Sequence, residues 1–411
     1  MLDDVPRPLA GSHAVAAGEL LFVGGLLATD YRTGIAPEAR GSSGLPLVGE
    51  TTRAQAEYIL RAAEAIMTKA GTTFDQVVRV DQYITDRRAA APYLRARRTV
   101  FSLPRRPAST LLTVPGLLVP AATVSAEMIA SFAPKAGIFT DEVPVNFPGA
   151  PHGATAGPFV FVQGQIASDF ESPIAPAAAA SPFWYETPVE RETEYIVRNL
   201  ATILEAAGSS LEDVVKAHVY LVDLADFAEF EVVWRRHFGS RPPARTVVSV
   251  TSLGSLGCRV EVNVIAVRRG QPRQYVETAQ APPREPLCES QAVRAGDFLF
   301  VSGLVAGDFR HGLAQEASVD PNAPFFSCPV ERQVRHVLRQ AEALCVAGKT
   351  SLDRLVAAQA FFVDLRDYYS FARVWNDTLG DAQPAVTAVR VPESALCPGA
   401  RLLLDLVAYA P

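Results

Sequence analysis

One pattern returns three times along this chain at a constant spacing, and nothing else in the sequence restricts the fold as much. Residues 18–31 read GELLFVGGLLATDY, residues 157–170 read GPFVFVQGQIASDF, and residues 296–309 read GDFLFVSGLVAGDF, so both steps (18 to 157 and 157 to 296) are 139 residues. Gly25, Gly164 and Gly303 coincide, as do Asp30, Asp169 and Asp308, and Ile35, Ile174 and Leu313 follow a variable turn. Self-similarity at fixed period marks a repeat architecture. Each copy continues through a helical stretch ending in Ala-Gly, at Gly71, Gly208 and Gly348, which read as C-cap glycines. Thr187-Pro188-Val189-Glu190 reads as a capping box with proline at N1, and Cys328-Pro329-Val330-Glu331 holds the same place in the third copy. Ile196, Leu200, Ile203, Leu204 and Ala207 give that helix one apolar face.

After each Ala-Gly comes a strand (VVRVDQYITD, VVKAHVYLVD, LVAAQAFFVD), then a second helix, then two more strands. The unit is therefore β-β-α-β-α-β-β, an α+β fold, and three such units (1–135, 136–272 and 273–411) take up all 411 residues. Linkers are expected near 133–145 and 270–285, where proline and alanine concentrate. Two helices cover only one face of each sheet. In the last strand of the second copy Val260, Val262 and Val264 point one way and Glu261, Asn263 and Ile265 the other. Neither face is simply polar, so the sheets are expected to meet around a common axis with helices outside. The chain then makes its own trimer and is expected to be a monomer with internal pseudo-threefold symmetry.

Composition removes several functions. The net charge of −6 and the lack of a basic run argue against a nucleic-acid partner. No stretch approaches a membrane span and the N-terminus has no signal-peptide pattern, so a cytoplasmic protein without a membrane partner is expected. Five cysteines without a CxxC pair and six histidines without ligand spacing predict buried thiols and no metal. Gly348-Lys349-Thr350-Ser351 lacks the first glycine of a P-loop and reads as a turn.

The middle copy, with GPFVFVQGQIASD, NLATILEAAGSSLEDVVKAHVYLVDLADF, PPARTVVSV and RVEVNVIAVRRG, resembles the Rid family of reactive-intermediate deaminases over its whole length. The first and third copies resemble it less closely. The resemblance implies a chorismate-mutase-like fold, a fused pseudo-trimer and pockets between units. It also implies that Arg245 grips the carboxylate of a small imino or enamine acid while Glu261 handles water and proton, with no cofactor. A planar guanidinium and a carboxyl suit those two tasks.

The other copies depart from this pattern. Ser109 and Val386 stand where the second copy has Arg245, and Ser125 and Leu403 stand where it has Glu261. A single inter-repeat site is therefore expected, formed by repeats 2 and 3, with Ser302 and Gly303 near Arg245 and with Glu261 either beside them or at the adjacent interface. Arg245→Ala is expected to abolish turnover and leave the fold intact. Gln163, His152 and Trp184 complete the expected substrate-binding set: Gln163 stands where family members have serine, His152 precedes the first strand, and Trp184 lies in an aromatic loop suited to a lid or to packing. Glu127, Asn263 and Asp405 are equivalent polar positions, read as hydrogen-bonding ties across the barrel, with a displaced carboxylate as the alternative. The alternatives to deamination are a chorismatase-like biosynthetic enzyme acting on a larger carboxylated substrate, and a ligand-binding or scaffold protein without turnover.

Overall fold

The computed structural model describes residues 5–6, 8–41, 48–180, 185–239, 241–319, 322, 328–393 and 396–411. Repeat 1 runs through strands Ala14–Ala17 and Leu20–Leu26, helix Val48–Ala70, strand Val77–Ile84, helix Ala90–Arg97, and strands Ala108–Thr113 and Val124–Ser131. Its sheet order is Ala14–Ala17, Leu20–Leu26, Val124–Ser131, Val77–Ile84, Ala108–Thr113. The last two strands are parallel, which requires a crossover, and the helix Ala90–Arg97 supplies it. Repeats 2 and 3 have the same order.

The linkers are not wholly loops, as the proline content had suggested. Lys135–Ile138 pairs with Gly153–Ala156, and Arg273–Val276 pairs with Ala292–Ala295, so each linker adds an edge strand to the sheet that follows it. Thr187 and Glu190 form the reciprocal capping box of the helix Pro188–Ala206. Cys328 makes no such bond at the start of the helix Pro329–Ala347, because a thiol is a weak acceptor. Gly71 and Gly208 have the expected left-handed backbone, but in the third copy Lys349 takes that conformation and Gly348 does not. Gly348 serves packing instead: a Cβ there would stand 2.7 Å from Leu299 Cδ2.

Both faces of each sheet are buried, and alternation sorts them. Val260, Val262, Val264 and Ala266 pack beneath the helix residues Ile196, Leu200 and Leu204. Ile265 and Val267 turn toward the axis, into a core shared by all three repeats that includes Leu20, Phe22, Phe159, Phe161, Phe298 and Phe300. Phe298 touches both Phe22 (ring centroids 5.4 Å apart) and Phe159 (5.8 Å). Burying a phenylalanine contributes about 1.5–3 kcal/mol, so separating one repeat would expose several such side chains at once. Strand Ala108–Thr113 lies against Phe159–Ile166, Ala244–Ser249 against Phe298–Val301, and Ala385–Arg390 against Leu20–Leu26, which closes the ring. Because this ring leaves no trimer-forming face unused, light scattering is expected to give a mass near 44.1 kDa. A mass three times larger would contradict it.

Candidate active site

Each interface brings together the strand position of Arg245 from one repeat and the strand position of Glu261 from the next. Between repeats 2 and 3, Arg245 lines a cavity with Gly303 and Leu403. By the same geometry Glu261 faces Ser109 of repeat 1, and Ser125 faces Val386 of repeat 3. Arg245 and Glu261 are therefore not together. The strand Val214–Leu221 runs between them, pairing Ala217 with Arg245 and Tyr220 with Glu261. That places the two about 9–10 Å apart across the sheet and about 10 Å along it. The expected pocket of repeats 2 and 3 holds the arginine without the glutamate.

Arg245 is also occupied. Its Nη1 donates to Glu231 at 2.7 Å and its Nε to Glu289 at 3.1 Å, all inside the protein. Phe227, Phe230 and Trp234 pack around the guanidinium with ring centroids 5.4–5.6 Å away. Burial disfavours the charge, but the two carboxylates outweigh it and hold the pKa above the ordinary arginine value. The cavity beside it measures about 10 Å³, room for one water at most. Ser302 is equally committed, accepting from Arg245 N at 2.8 Å and donating to Ser290 O at 2.6 Å. Gly303 N donates to Arg245 O at 3.0 Å, which extends repeat 2 into repeat 3. The interface of repeats 3 and 1 is closed by backbone: a Cβ on Gly24 would lie 2.9 Å from Val386 O.

Glu261 sits in a different setting. Strand Phe159–Ile166 bulges opposite Val262 and Val264, at Gln163 and Gly164, a common device for re-aiming side chains. The carboxyl of Glu261 occupies the space above Gly164, where any Cβ would stand 1.9 Å from Oε1 and 3.2 Å from Thr110 Oγ1 of repeat 1. A side chain at position 164 would push the carboxyl out of this place. Glu261 is 5% exposed and makes no hydrogen bond or ion pair among the described residues. Burial, helped by the negative Asp81, pushes its pKa up to about 8. Gln163 is on the same bulge, its N–H bonded to His152 O at 3.0 Å. His152 turns its ring to the linker, with Nε2 3.0 Å from Thr140 O, and burial lowers its pKa. Trp184 lies outside the described residues.

Beside Ser109, on the repeat 1 side of this interface, repeat 1 carries a guanidinium that sequence reasoning missed. Arg97 ends the crossover helix, at the position held by Trp234 and Trp375 in the other repeats, and it is 8% exposed. Its Nη1 donates to Ser109 Oγ at 2.7 Å and to Gln82 Oε1. The signal was an arginine in a tryptophan position, coupled to a serine in the arginine position.

On the axis, Glu127, Asn263 and Asp405 tie the barrel. Glu127 accepts from Tyr83 at 3.1 Å and from Gln359 and Thr387 of repeat 3. Asp405 pairs with Lys216 at 2.7 Å and His218 at 3.1 Å of repeat 2, and accepts from Thr246. Asn263 donates to Thr110 of repeat 1 at 2.8 Å. Each repeat thus reaches the equivalent threonine of a neighbour. Burial pushes Glu127 up to about 7; Asp405, despite its burial, is held well below the carboxylate range by Lys216 and His218. Around them is a cavity of about 60 Å³, room for a few waters.

No helix among the described residues is long and apolar enough to cross a membrane. Comparison with known proteins agrees with the threefold construction. A RutC family protein of Pyrococcus abyssi is 38% identical over 119 residues, 29% of this chain and 87% of its own. The chloroplastic Reactive Intermediate Deaminase A of Arabidopsis thaliana is 36% identical over 78 residues, 19% of this chain and 41% of its own. The crystal structure of RidA from an Antarctic Psychrobacter is 32% identical with a TM-score of 0.27, covering 32% of this chain and 98% of that one. The model of the family described as Endoribonuclease L-PSP matches residues 7–132, 151–268 and 279–410, and the chain belongs to that family, the Rid and RutC proteins, as three tandem copies in one polypeptide.

Proposed function

We propose that the chain is a cofactor-independent hydrolase of a small carboxylated imine or enamine, working at the interface of repeats 1 and 2 with Glu261 as acid and base. The observation that carries this reading is Glu261 itself. A buried carboxyl with no partner costs stability, and a protein retains such a group where its proton has work to do. A pKa of about 8 keeps it protonated near neutrality and able to give the proton up. The relative named as a reactive intermediate deaminase supports the reaction class.

For an enamine acid the balance is simple. Glu261 protonates the β-carbon, turning the enamine into an iminium, and the resulting carboxylate takes a proton from water as its oxygen attacks the iminium carbon. Collapse of the carbinolamine breaks the C–N bond, and ammonia and a 2-oxo acid leave. Arg245 is assigned a structural part, since its charge is already met by Glu231 and Glu289. An imino acid generated in situ by an amino-acid oxidase tests the reading: the full chain is expected to speed ammonia release and Glu261→Gln to remove that gain. No acceleration by the wild type, across imines and enamines of several sizes, would favour a binding or scaffold protein. That second reading draws on one observation, that no interface unites the strand arginine with the strand glutamate.

A further inference from the structure

We propose that Arg97, on the crossover helix of repeat 1, is the substrate-carboxylate anchor of the site that contains Glu261, an arginine relocated from strand to helix. The inference rests on the reading of that interface as the site. In repeat 2 the guanidinium of Arg245 lies 5.5 Å from the Trp234 ring centroid, so the strand arginine and this helix position share one small volume. Repeat 1 exchanges both residues at once: Ser109 vacates the volume from the strand and Arg97 enters it from the helix, joined by a 2.7 Å hydrogen bond. A cation is thereby kept at this place by a different route.

Its charge, unlike that of Arg245, is unmet. The two acids that neutralise Arg245 are replaced here, Glu231 by Leu94 and Glu289 by Ala150. Arg97 forms no ion pair among the described residues; it donates to a serine and a glutamine, with Phe101 5.7 Å away. Arg98 and Arg106 flank it without ion pairs of their own among those residues, both against Phe147 of the linker (4.7 and 5.3 Å). Burial lowers the pKa of Arg97, the response of a buried cation lacking an anion. A buried guanidinium whose partners are neutral acceptors, with further cations nearby, binds a small carboxylate with bidentate geometry, and the Glu261 carboxyl, protonated near neutrality, does not compete for it.

The test is calorimetric titration of the full-length chain with 2-oxobutyrate, an unreactive acid of the product class, at pH 7. Wild type and Glu261→Gln are expected to bind alike, and Arg97→Gln to bind about 100-fold more weakly. Arg97→Trp, which installs the residue of the other two repeats, guards against a merely unstable variant and is expected to lose binding equally. Arg97→Trp combined with Ser109→Arg returns the cation to the strand and is expected to regain most of it. Unchanged binding in Arg97→Gln, failure of the double variant, loss in Arg245→Met combined with Glu231→Gln and Glu289→Gln, or no binding to the wild type would each overturn the assignment. Turnover surviving in Glu261→Gln while Arg97→Gln loses binding would sink the acid–base role and leave the anchor standing.

Discussion

Replacing Glu261 by glutamine is expected to lower kcat by about 10²–10⁴-fold, the usual contribution of a positioned acid or base, with KM little changed. The size and shape of the residue are kept, so the loss reports the proton. The wild-type rate is expected to fall as the pH rises through about 8, where burial places the Glu261 titration. Stability gives a second reading with a definite sign. The folded carboxyl holds its proton to higher pH than the unfolded one, so its penalty is absent below the ordinary carboxylate range and grows until the pH passes about 8. Thermal melts of Glu261→Gln are therefore expected to match wild type near pH 4 and to exceed it at pH 9, by as much as roughly 3–5 kcal/mol. A melt that tracks wild type at every pH would mean that the carboxyl is solvated or paired in solution.

Arg245→Ala is expected to destabilise the chain by about 3 kcal/mol, because it removes the buried cation shared by two carboxylates. Glu231 and Glu289 both accept from that guanidinium, and each keeps one other cation, Arg235 at 3.2 Å and Arg284 at 2.9 Å. The melting temperature is expected to drop by about 3–4 °C. Arg245→Met combined with Glu231→Gln and Glu289→Gln is expected to recover most of the loss, since the charges leave together. This departs from the sequence expectation of an intact fold, and the reason is local: neither glutamate was visible as a partner, one lying on the helix and one on the linker. Full stability in Arg245→Ala together with lost ligand binding would restore Arg245 as the carboxylate anchor.

The repeat, the order β-β-α-β-α-β-β and the burial of both sheet faces were legible in the sequence because each is a local matter of period. Gly25, Gly164 and Gly303 mark the bulge or inter-repeat contact of each copy, and the valines of 260–264 mark the helix side. The importance of the position of Glu261 was legible from the resemblance. Its partner was not. Which copy faces which depends on how three sheets close around an axis, and strand alternation is silent on that. The sequence by itself therefore determined three like units and the residues that vary among them. Only the tertiary structure decided that Arg245 and Glu261 belong to different interfaces, with one strand between them, that Arg245 is enclosed by Glu231 and Glu289, 14 and 44 residues away, and that Arg97 reaches from a helix into the place Ser109 left. The physical reason is that a site between units is set by packing across the closed ring, where a side chain's neighbours come from another strand, helix or repeat that period and alternation do not reveal.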